Sequence, residues 1–360
     1  MLKTYLITLH NIGNPGSSLQ AYALNKYLND LGIDNTIIDY KPYYTKIDAQ
    51  VIRSLLRILV FWKNHRMTLK KYEAFAQRYM QLTSRCYRKY SDLKRANLKA
   101  NCFIVGSDQL WNATYKCGRD KAFKLAFVKD VPKISYATSV GRAEIPEKER
   151  LHLIRGICDF EWISVREQST SSMLSRYMKR RVEWVCDPVF LLDKSVYEEM
   201  IKGCDCTKYD EYAVMYLAES SPLLDGLIDY LRVVKGWKII QAGGNRKRCN
   251  CDVLINCVDP VDFLALIKNA KFVISGSFHA TAFSLIFEKQ FGVLLPNKNE
   301  ERIISLLNLV GLENKIIMNN SDFEYVLSVV DYMQCKHKLK QFIEESGRQF
   351  NKALLEIKVI

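Results

Sequence analysis

Residues 271–288, with the sequence KFVISGSFHATAFSLIFE, constrain the fold more than any other segment of the chain. The run at 272–274 is apolar and rich in β-branched side chains, which is typical of a buried strand. Ser275, Gly276 and Ser277 end this run, and apolar residues then recur at helical spacing. Open α/β sheets build anion sites where a strand leads through such a turn into a helix. The segment therefore predicts an α/β fold with a binding site at this junction.

His279 falls in the first turn of the predicted helix, where backbone N–H groups have no partner within the helix. It is one of five histidines in the chain, and imidazole is the side chain that changes its charge near neutral pH. Two interpretations are open from spacing alone. His279 is either a capping or half-buried structural residue, or it takes part in chemistry at the end of the strand.

The same succession of strand, polar turn and helix recurs along the chain. We predict strands at 3–9, 35–40, 102–105, 134–137, 163–165, 212–217, 237–241 and 291–295, and helices at 19–31, 223–234, 259–269 and 300–310. Such alternation predicts parallel sheets covered by helices. Because 360 residues exceed what one core usually fills, we predict two βα domains that face a cleft.

Domain boundaries follow from changes in this pattern. The first domain is predicted at 1–195, and a strand at 182–185 closes it. The segment 194–211 is charged and weakly periodic, so we interpret it as a connection. The second domain then covers 196–325, and a lysine-rich helical tail covers 326–360.

Charge and cysteine spacing narrow the classes of function. The chain has 53 Lys and Arg against 39 Asp and Glu, and its net charge of +14 favours partners with phosphates or anionic headgroups. No basic-aromatic sheet motif or recognition helix occurs, so nucleic acid is not an expected partner. The pairs Cys204-x-Cys206 and Cys249-x-Cys251 lack the spacing of zinc sites, and no metal is expected. Cysteines without a disulfide framework are typical of a reduced, cytoplasmic protein.

A basic stretch with aromatic residues lies at 51–71 (VIRSLLRILVFWKNHRMTLKK). It is either a core helix with a solvated basic face or a helix in an anionic membrane interface, with Arg53, Arg57 and Lys63 at the headgroups. The sequence predicts no membrane-spanning helix and no signal peptide. We therefore expect a cytoplasmic protein, which the second interpretation places peripherally on the inner membrane face.

The glycine-containing turn at 11–18 opens the first predicted helix. Its spacing is not G-x-G-x-x-G, and no acidic residue follows at the ribose-binding position, so a nicotinamide cofactor is not expected. Because the turn precedes a helix, it can still face an anion or a sugar hydroxyl.

Six segments, taken in order, resemble the polysaccharide pyruvyl transferase family. They are 11–24 (NIGNPGSSLQAYAL), 103–112 (FIVGSDQLWN), 136–141 (YATSVG), 163–167 (ISVRE), 187–192 (DPVFLL) and 275–284 (SGSFHATAFS). Each motif is weak alone, but their ordered combination is specific. The resemblance runs from about residue 1 to about residue 315, and the last forty residues match only as a helical tail.

The resemblance implies two Rossmann-like halves in a glycosyltransferase-B-like arrangement, with C-terminal helices packing back on the first domain. It also implies transfer of pyruvate from phosphoenolpyruvate to two sugar hydroxyls, which forms a cyclic ketal and requires no cofactor. The acceptor belongs to a surface polysaccharide, such as a capsule or exopolysaccharide, or to its lipid-linked precursor. The first domain is then the acceptor side and the second domain the donor side.

Donor residues follow from the resemblance position by position. His279 matches an active-site histidine that protonates C3 of the donor or donates a hydrogen bond to its phosphate. Arg166 matches a donor-binding arginine, and the alternative is an arginine at a helix start that pairs with Glu167. In characterised members an arginine often stands two residues before the histidine, but Ser277 stands there in this chain. Ser277 with Ser275 and Gly276, or another cation such as Arg302 or Arg142, is then expected to hold the anion.

Acceptor residues are expected in the first domain. Asp108 follows the strand at 102–105, and it either orients or deprotonates an acceptor hydroxyl, or it caps the turn that follows. Asn14, Ser17 and Gln20, around the turn at 11–18, are expected to contact the acceptor.

Two other functions remain open at the level of sequence. One is a glycosyltransferase of the same shape that uses a nucleotide sugar, with Glu300 or Glu301 on the ribose hydroxyls. The other is a non-catalytic, membrane-associated assembly protein that docks through 51–71. The donor that binds discriminates among the three functions: phosphoenolpyruvate for the pyruvyl transferase, a nucleotide sugar for the glycosyltransferase, and neither for the assembly protein.

Overall fold

The computed structural model describes residues 2–45, 55–204, 209–217, 221–296 and 300–357, which form two compact units. The first unit takes its residues from 1–51, 72–192 and 340–360, and the second from 52–71 and 193–339. Residues 55–71, assigned from sequence to the first domain, therefore lie in the second unit. Residues 340–357 belong to the predicted tail that returns to the first domain, and they lie in the first unit.

The first unit is built on a six-stranded parallel sheet with the strand order β2-β1-β3-β4-β5-β6. Its strands are β1 (Lys3–Ile7), β2 (Asp34–Ile37), β3 (Cys102–Val105), β4 (Lys133–Thr138), β5 (Trp162–Val165) and β6 (Glu183–Trp184). Leu6 of β1 pairs with Ile37 on one side and with Ile104 on the other. All three side chains are fully buried, as is typical of parallel strands covered on both faces.

Helices surround this sheet, and the start of the first helix positions the candidate site. They are α1 (Pro15–Asp30), the last two turns of α2 (Leu55–Tyr79), α3 (Tyr90–Ala96), α4 (Lys116–Arg119), α5 (Glu147–Ile157) and α6 (Gln168–Met178). α1 begins earlier than the predicted 19–31. The cause is that Asn14 Oδ1 accepts a hydrogen bond from Ser17 N (3.2 Å) and Pro15 suits the first turn.

The second unit contains a five-stranded parallel sheet with the order β11-β10-β7-β8-β9. Its strands are β7 (Tyr212–Leu217), β8 (Lys238–Ala242), β9 (Val253–Ile255), β10 (Phe272–Gly276) and β11 (Gln290–Val293). Two parallel sheets, each covered by helices, confirm the predicted α/β class with two Rossmann-like units.

The helices of the second unit correct one prediction. They are α7 (Lys194–Met200), α8 (Leu224–Lys235), α9 (Pro260–Asn269), α10 (Phe278–Ile286), α11 (Glu301–Val310), α12 (Asp322–Val326) and the start of α13 (Tyr332–Glu356). The interpretation of 194–211 as a connection is wrong for its first part. Asp193 Oδ1 accepts a hydrogen bond from Ser195 N (2.8 Å) and begins α7, whose Tyr197 is fully buried against Phe283.

The C-terminal part of α13 packs within the first unit, as predicted for the tail. The Phe350 ring lies 4.4 Å from the Tyr136 ring and stacks on Tyr27 at 6.1 Å, centroid to centroid. Ser346 Oγ accepts a hydrogen bond from Cys186 N (2.9 Å). Aromatic packing around the buried Phe350 therefore fixes this helix to the six-stranded unit.

The basic stretch at 51–71 is described only in part. Outside the described residues lie Arg53 and the side chains of Arg57, Phe61 and Trp62. Lys63 is exposed. Among the residues that the structure describes, no helix is both long and apolar enough to span a membrane.

Candidate functional site

A cavity of about 530 Å³ opens in the first unit, beyond the carboxyl ends of β1 and β3. Three of its lining residues, Asn14, Ser17 and Asp108, were predicted from sequence to contact a substrate. The rest of the lining is Leu9, Ile12, Tyr44, Gln109, Thr114, Tyr115, Lys116, Cys117 and Arg119. The volume lies within the range of small-molecule sites, about 300–1,000 Å³.

Asp108, which lines this cavity, has a strained backbone. Its φ is 85°, in the left-handed region that residues with a side chain rarely adopt. Its carbonyl accepts hydrogen bonds from Leu110 N (2.8 Å) and Ser139 N (2.9 Å), which hold that conformation. Strain maintained in this way is common at functional sites, where it fixes the direction of a side chain.

The contacts of the Asp108 carboxylate show the capping role considered from the sequence, and its role toward an acceptor hydroxyl stays a prediction. Oδ1 accepts a hydrogen bond from Gln109 N (2.7 Å), so the carboxylate caps the turn that follows β3. Oδ2 accepts a 2.5 Å hydrogen bond from Ser17 Oγ, and both residues line the cavity. A carboxylate and a hydroxyl that lie together in a cavity form a suitable partner for a sugar hydroxyl.

Gln20 lies behind the cavity wall rather than in it. Its Nε2 donates to Thr8 Oγ1 (3.0 Å), Leu9 O (2.9 Å) and Ser17 O (2.7 Å), and its side chain is fully buried. These bonds tie the first turn of α1 to the end of β1. Contact between Gln20 and an acceptor stays a prediction, whereas its observed contacts position Ser17.

Arg166, at the end of β5, belongs to a buried ionic cluster. Its Nη1 donates to Asp187 Oδ2 (2.5 Å) and to Ser107 Oγ (3.2 Å), and only 1% of its side chain is exposed. Its guanidinium also lies 3.9 Å from a carboxylate oxygen of Asp108 and of Glu167. Donor binding by Arg166 stays a prediction, because in this structure the guanidinium faces carboxylates of its own unit.

The short helix α4 supplies the basic side chains of the cavity, Lys116 and Arg119, and its end is firmly held. Asp120 Oδ2 accepts hydrogen bonds from Tyr40 Oη (2.7 Å) and Tyr44 Oη (2.6 Å). Burial, followed by the neighbouring Asp120 carboxylate, raises the pKa of both tyrosines, so their hydroxyls remain donors.

Gly118 lets α4 approach the loop that follows β3. A Cβ at this position would lie 2.1 Å from the Asn112 carbonyl oxygen, so only glycine fits.

In the second unit, the junction of β10 and α10 forms as the sequence predicted. Ser275 Oγ donates to Ser277 O (3.0 Å) and lies 2.8 Å from Thr281 Oγ1, which ties the turn to the helix. A Cβ at Gly276 would lie 2.7 Å from a Leu217 methyl and 3.2 Å from Leu294 O, so the close approach of β7 requires glycine. Ser277 is the N-cap residue, with φ −140° and ψ 138°.

His279 lies in the first turn of α10, as predicted, and is 5% exposed. The Phe278 ring meets the imidazole edge to face at 5.2 Å, and the Arg302 guanidinium lies 6.0 Å from that same ring. The structure thus brings Arg302, on α11, to the end of α10 that carries His279. Arg142 lies instead in the first unit, where its Nη2 donates to Glu149 Oε2 (2.5 Å).

Two groups of residues at the end of the first sheet were missed from sequence. The first is Tyr44, Lys116 and Arg119 of the cavity. Lys116 and Arg119 had a signal in the basic-aromatic run TYKCGR at 114–119, soon after Asp108, and Tyr44 had none. The second is the pair of His10 and Asp39, in which His10 Nε2 lies 2.9 Å from Asp39 Oδ1.

His10 and Asp39 form a buried pair that stabilises the loops after β1 and β2. Burial alone raises the pKa of Asp39, but the hydrogen bond from His10 and the charge of Lys41 (3.1 Å) outweigh it and lower the pKa to about 2. Over the described part of the chain, no three His, Cys, Asp or Glu side chains are grouped so as to hold a metal ion.

Comparison with solved structures identifies the shared fold. UDP-GlcNAc 2-epimerase from Neisseria meningitidis is similar over 98% of this chain and 99% of its own, with a TM-score of 0.57 and 12% identity. The Methanocaldococcus jannaschii UDP-GlcNAc 2-epimerase is similar over 94% of this chain and 98% of its own, with a TM-score of 0.51 and 12% identity. An alpha-glucosyltransferase in complex with UDP is similar over 98% of this chain and 100% of its own, with a TM-score of 0.52 and 7% identity. At such low identity, these likenesses establish the architecture alone.

Comparison by sequence identifies the family. No curated protein matches the chain significantly. The family model described as polysaccharide pyruvyl transferase matches residues 14–297, a range that includes the cavity residues from Asn14 to Arg119 and the junction at His279. Because this match spans the bulk of the chain, the protein belongs to the polysaccharide pyruvyl transferase family.

Proposed function

We propose that this transferase moves pyruvyl from phosphoenolpyruvate to two hydroxyls of one sugar and forms a cyclic ketal. The acceptor is a surface polysaccharide or its lipid-linked precursor. The observation that supports the proposal is the family match over 14–297, which includes both the Asp108 cavity and the His279 junction.

The reaction requires an acid, a base and an anion site. Protonation of donor C3 creates a cationic centre at C2, which one sugar hydroxyl attacks. Phosphate leaves with the C–O bonding electrons, the second hydroxyl attacks the same carbon, and both hydroxyl protons pass to bases. The protein therefore has to supply a proton donor for C3, acceptors for two hydroxyl protons and cations for the phosphate and carboxylate.

Asp108 is the proposed base on the acceptor side. Its Oδ2 already accepts a hydrogen bond from Ser17 Oγ (2.5 Å), so a sugar hydroxyl replacing or joining that contact lies within reach of the carboxylate. The bonds to the Asp108 carbonyl fix its direction, which lowers the cost of orienting the substrate. Asn14 contributes to the same lining.

His279 and Arg302 are the proposed donor-side pair. His279 protonates C3 or donates a hydrogen bond to the phosphate, and Arg302 supplies the positive charge that Ser277 does not. This assignment is supported by the position of Arg302, whose guanidinium lies 6.0 Å from the ring of Phe278, the neighbour of His279. The first-turn N–H groups of α10, with Ser275 and Gly276 before them, complete the proposed anion site. Arg166 is proposed as a further donor ligand, on the resemblance alone.

Membrane association is a separate part of the proposal. A lipid-linked acceptor lies at the inner membrane face, and the stretch at 51–71 is basic, with Lys63, Arg66 and Lys70 exposed. We expect anionic vesicles to bind the protein at low salt and charge reversal at Arg53, Arg57 and Lys63 to abolish that binding. Equal recovery with neutral vesicles would contradict a charge-driven contact.

The test of the reaction combines donor binding with turnover. Thermal stabilisation by phosphoenolpyruvate is compared with that by a panel of nucleotide sugars, and phosphate release is then followed with lipid-linked saccharides. The product gains the mass of phosphoenolpyruvate less that of phosphoric acid. Stabilisation by a nucleotide sugar alone would refute the pyruvyl proposal and favour a glycosyltransferase.

Matched variants assign the roles. His279→Ala and Asp108→Asn are each expected to reduce the turnover rate by about 10²–10⁴-fold, the usual contribution of one general acid or base. The controls are His337→Ala and Asp30→Asn, which alter exposed groups. Donor binding with unchanged turnover in His279→Ala would indicate a structural histidine.

A further inference from the structure

The cavity of the first unit combines groups that a neutral sugar does not need. Asp108 and Ser17 provide the hydroxyl-binding pair, whereas Lys116 and Arg119 add two positive charges from α4. Both residues are exposed, and each also lines the cavity. Cations beside a cavity attract an anionic ligand and increase its local concentration.

The backbone that presents these cations is fixed. Tyr40 and Tyr44 both donate to Asp120, the residue directly after α4, and Asp120 Oδ1 accepts a hydrogen bond from Ala122 N (2.9 Å). Gly118 packs against the Asn112 carbonyl with no room for a side chain. Because the wall is anchored at these points, little ordering of the backbone is needed when an anion binds.

The aromatic lining suits a sugar ring. Tyr44 and Tyr115 line the same cavity as the cations, and a tyrosine has an apolar face with a polar tip. A sugar ring presents C–H groups on its faces and hydroxyls on its edge, so it matches this combination. Lining of this kind, with few polar groups that converge on one ligand, is typical of small-molecule sites.

We propose that the cavity binds an acceptor saccharide that carries an anionic substituent, either a phosphate ester or a carboxylate. Asp108 and Ser17 hold the hydroxyls, and Lys116 and Arg119 bind the anion, Arg119 with the planar fork that suits phosphate and carboxylate oxygens. This inference rests on the proposed function for the identity of the ligand as the acceptor. It makes Lys116 and Arg119 the residues that select the acceptor, a role separate from that of Asp108.

Direct binding to the full chain, without phosphoenolpyruvate, tests the inference. Glucose, galactose and mannose are each compared with their 1-phosphates and with the corresponding hexuronic acids, by calorimetry at low salt. At least one anionic sugar is expected to bind about tenfold or more tightly than its parent hexose, as one charge-assisted hydrogen bond predicts. The phosphate and carboxylate arms identify which anion the cavity prefers.

The double variant Lys116→Gln/Arg119→Gln is expected to bind the anionic sugar no better than the neutral one. Its control, Lys352→Gln, removes a 68% exposed charge from the same unit and is expected to change nothing. Inorganic phosphate is the last arm. The inference would be overturned if inorganic phosphate bound as tightly as the sugar phosphate. It would also be overturned if no anionic sugar bound more tightly than its parent hexose.

Failure of the inference and failure of the reaction are distinguishable. If no pyruvyl transfer occurs but anionic sugars bind through Lys116 and Arg119, the reaction is wrong and the binding site stands. If transfer occurs and the double variant leaves the acceptor KM unchanged, the reaction stands and the anion site is refuted.

Discussion

Arg166 and Asp187 offer the sharpest test of how the first unit is held together. Arg166 Nη1 lies 2.5 Å from Asp187 Oδ2, and the two side chains are 1% and 0% exposed. Two further carboxylates, those of Asp108 and Glu167, have an oxygen 3.9 Å from the guanidinium. Within the described part of the chain, these contacts set one buried cation against three carboxylates.

This imbalance predicts unequal losses of stability. Breaking a buried ion pair by removing one partner costs about 3–5 kcal/mol. Asp187→Asn leaves Arg166 with two nearby carboxylates, so its loss should lie near 3 kcal/mol. Arg166→Met leaves three carboxylates without their cation, so its loss should lie near 5 kcal/mol. The double variant Arg166→Met/Asp187→Asn should lose less than the sum of the two.

Thermal unfolding measures these differences. For a unit of this size, about 2–4 °C is expected per kcal/mol, which gives a decrease in Tm of roughly 6–12 °C for Asp187→Asn and 10–20 °C for Arg166→Met. Arg348→Met is the control, because its pair with Glu345 is exposed and should contribute less than about 1 kcal/mol. If Asp187→Asn is the more damaging change, the reasoning about the cluster is refuted. If Arg166→Met keeps full stability and loses phosphoenolpyruvate binding, the donor role of Arg166 is right instead.

Three further predictions concern other parts of the molecule. Gly118→Ala should destabilise the first unit by about 1–3 kcal/mol through overpacking, whereas Gly226→Ala on α8, whose Cβ meets nothing closer than 3.4 Å, should be tolerated in the same melting assay. Burial lowers the pKa of Lys315 from 10.5 to about 8. Between those values the unfolded chain holds a proton that the folded chain has released, so unfolding titrations should show wild type gaining stability over Lys315→Met as pH rises. As pH falls from about 4 to about 2, Asp39 takes up a proton in the unfolded chain before it does in the folded chain, whose pKa there is about 2, so wild type should lose stability relative to Asp39→Asn.

Sequence patterns predicted the strands well where their limits are local. The observed bounds of Cys102–Val105 and Tyr212–Leu217 agree with the predicted ones, and a polar residue precedes each apolar run, Asn101 in the first case and Glu211 in the second. The start of α1 was predicted too late, since the buried polar residues around Ser17 hide the helix from an apolar pattern and the cap at Asn14 was not recognised. Helix α7 was missed because seven residues give little periodicity.

Only those residues of the candidate site that lie next to the end of a strand or the start of a helix could be predicted from the sequence. Asp108, Ser17 and Asn14 stand next to recognisable strand and helix ends, so topology brings them together at one edge of a parallel sheet. Tyr44, Lys116 and Arg119 come from irregular segments whose positions depend on tertiary contacts, such as the bonds from Tyr40 and Tyr44 to Asp120. No local pattern encodes that Gly118 must meet the Asn112 carbonyl.

The absence of an arginine two residues before His279 has a structural context that the sequence did not reveal. Ser275, not Ser277, makes the side-chain bonds that tie the turn to Thr281, so the N-cap hydroxyl at Ser277 is not committed to holding the turn together. Arg302 reaches the same end of α10 from α11, where its guanidinium and the imidazole both lie near the Phe278 ring. In the proposed donor site the cation comes from Arg302 on a separate helix, and the small Ser277 leaves the first turn of α10 on the anion side. In the proposed donor site, the histidine thus comes from α10 and the arginine from α11, whereas one turn supplies both in the Arg-x-His pattern.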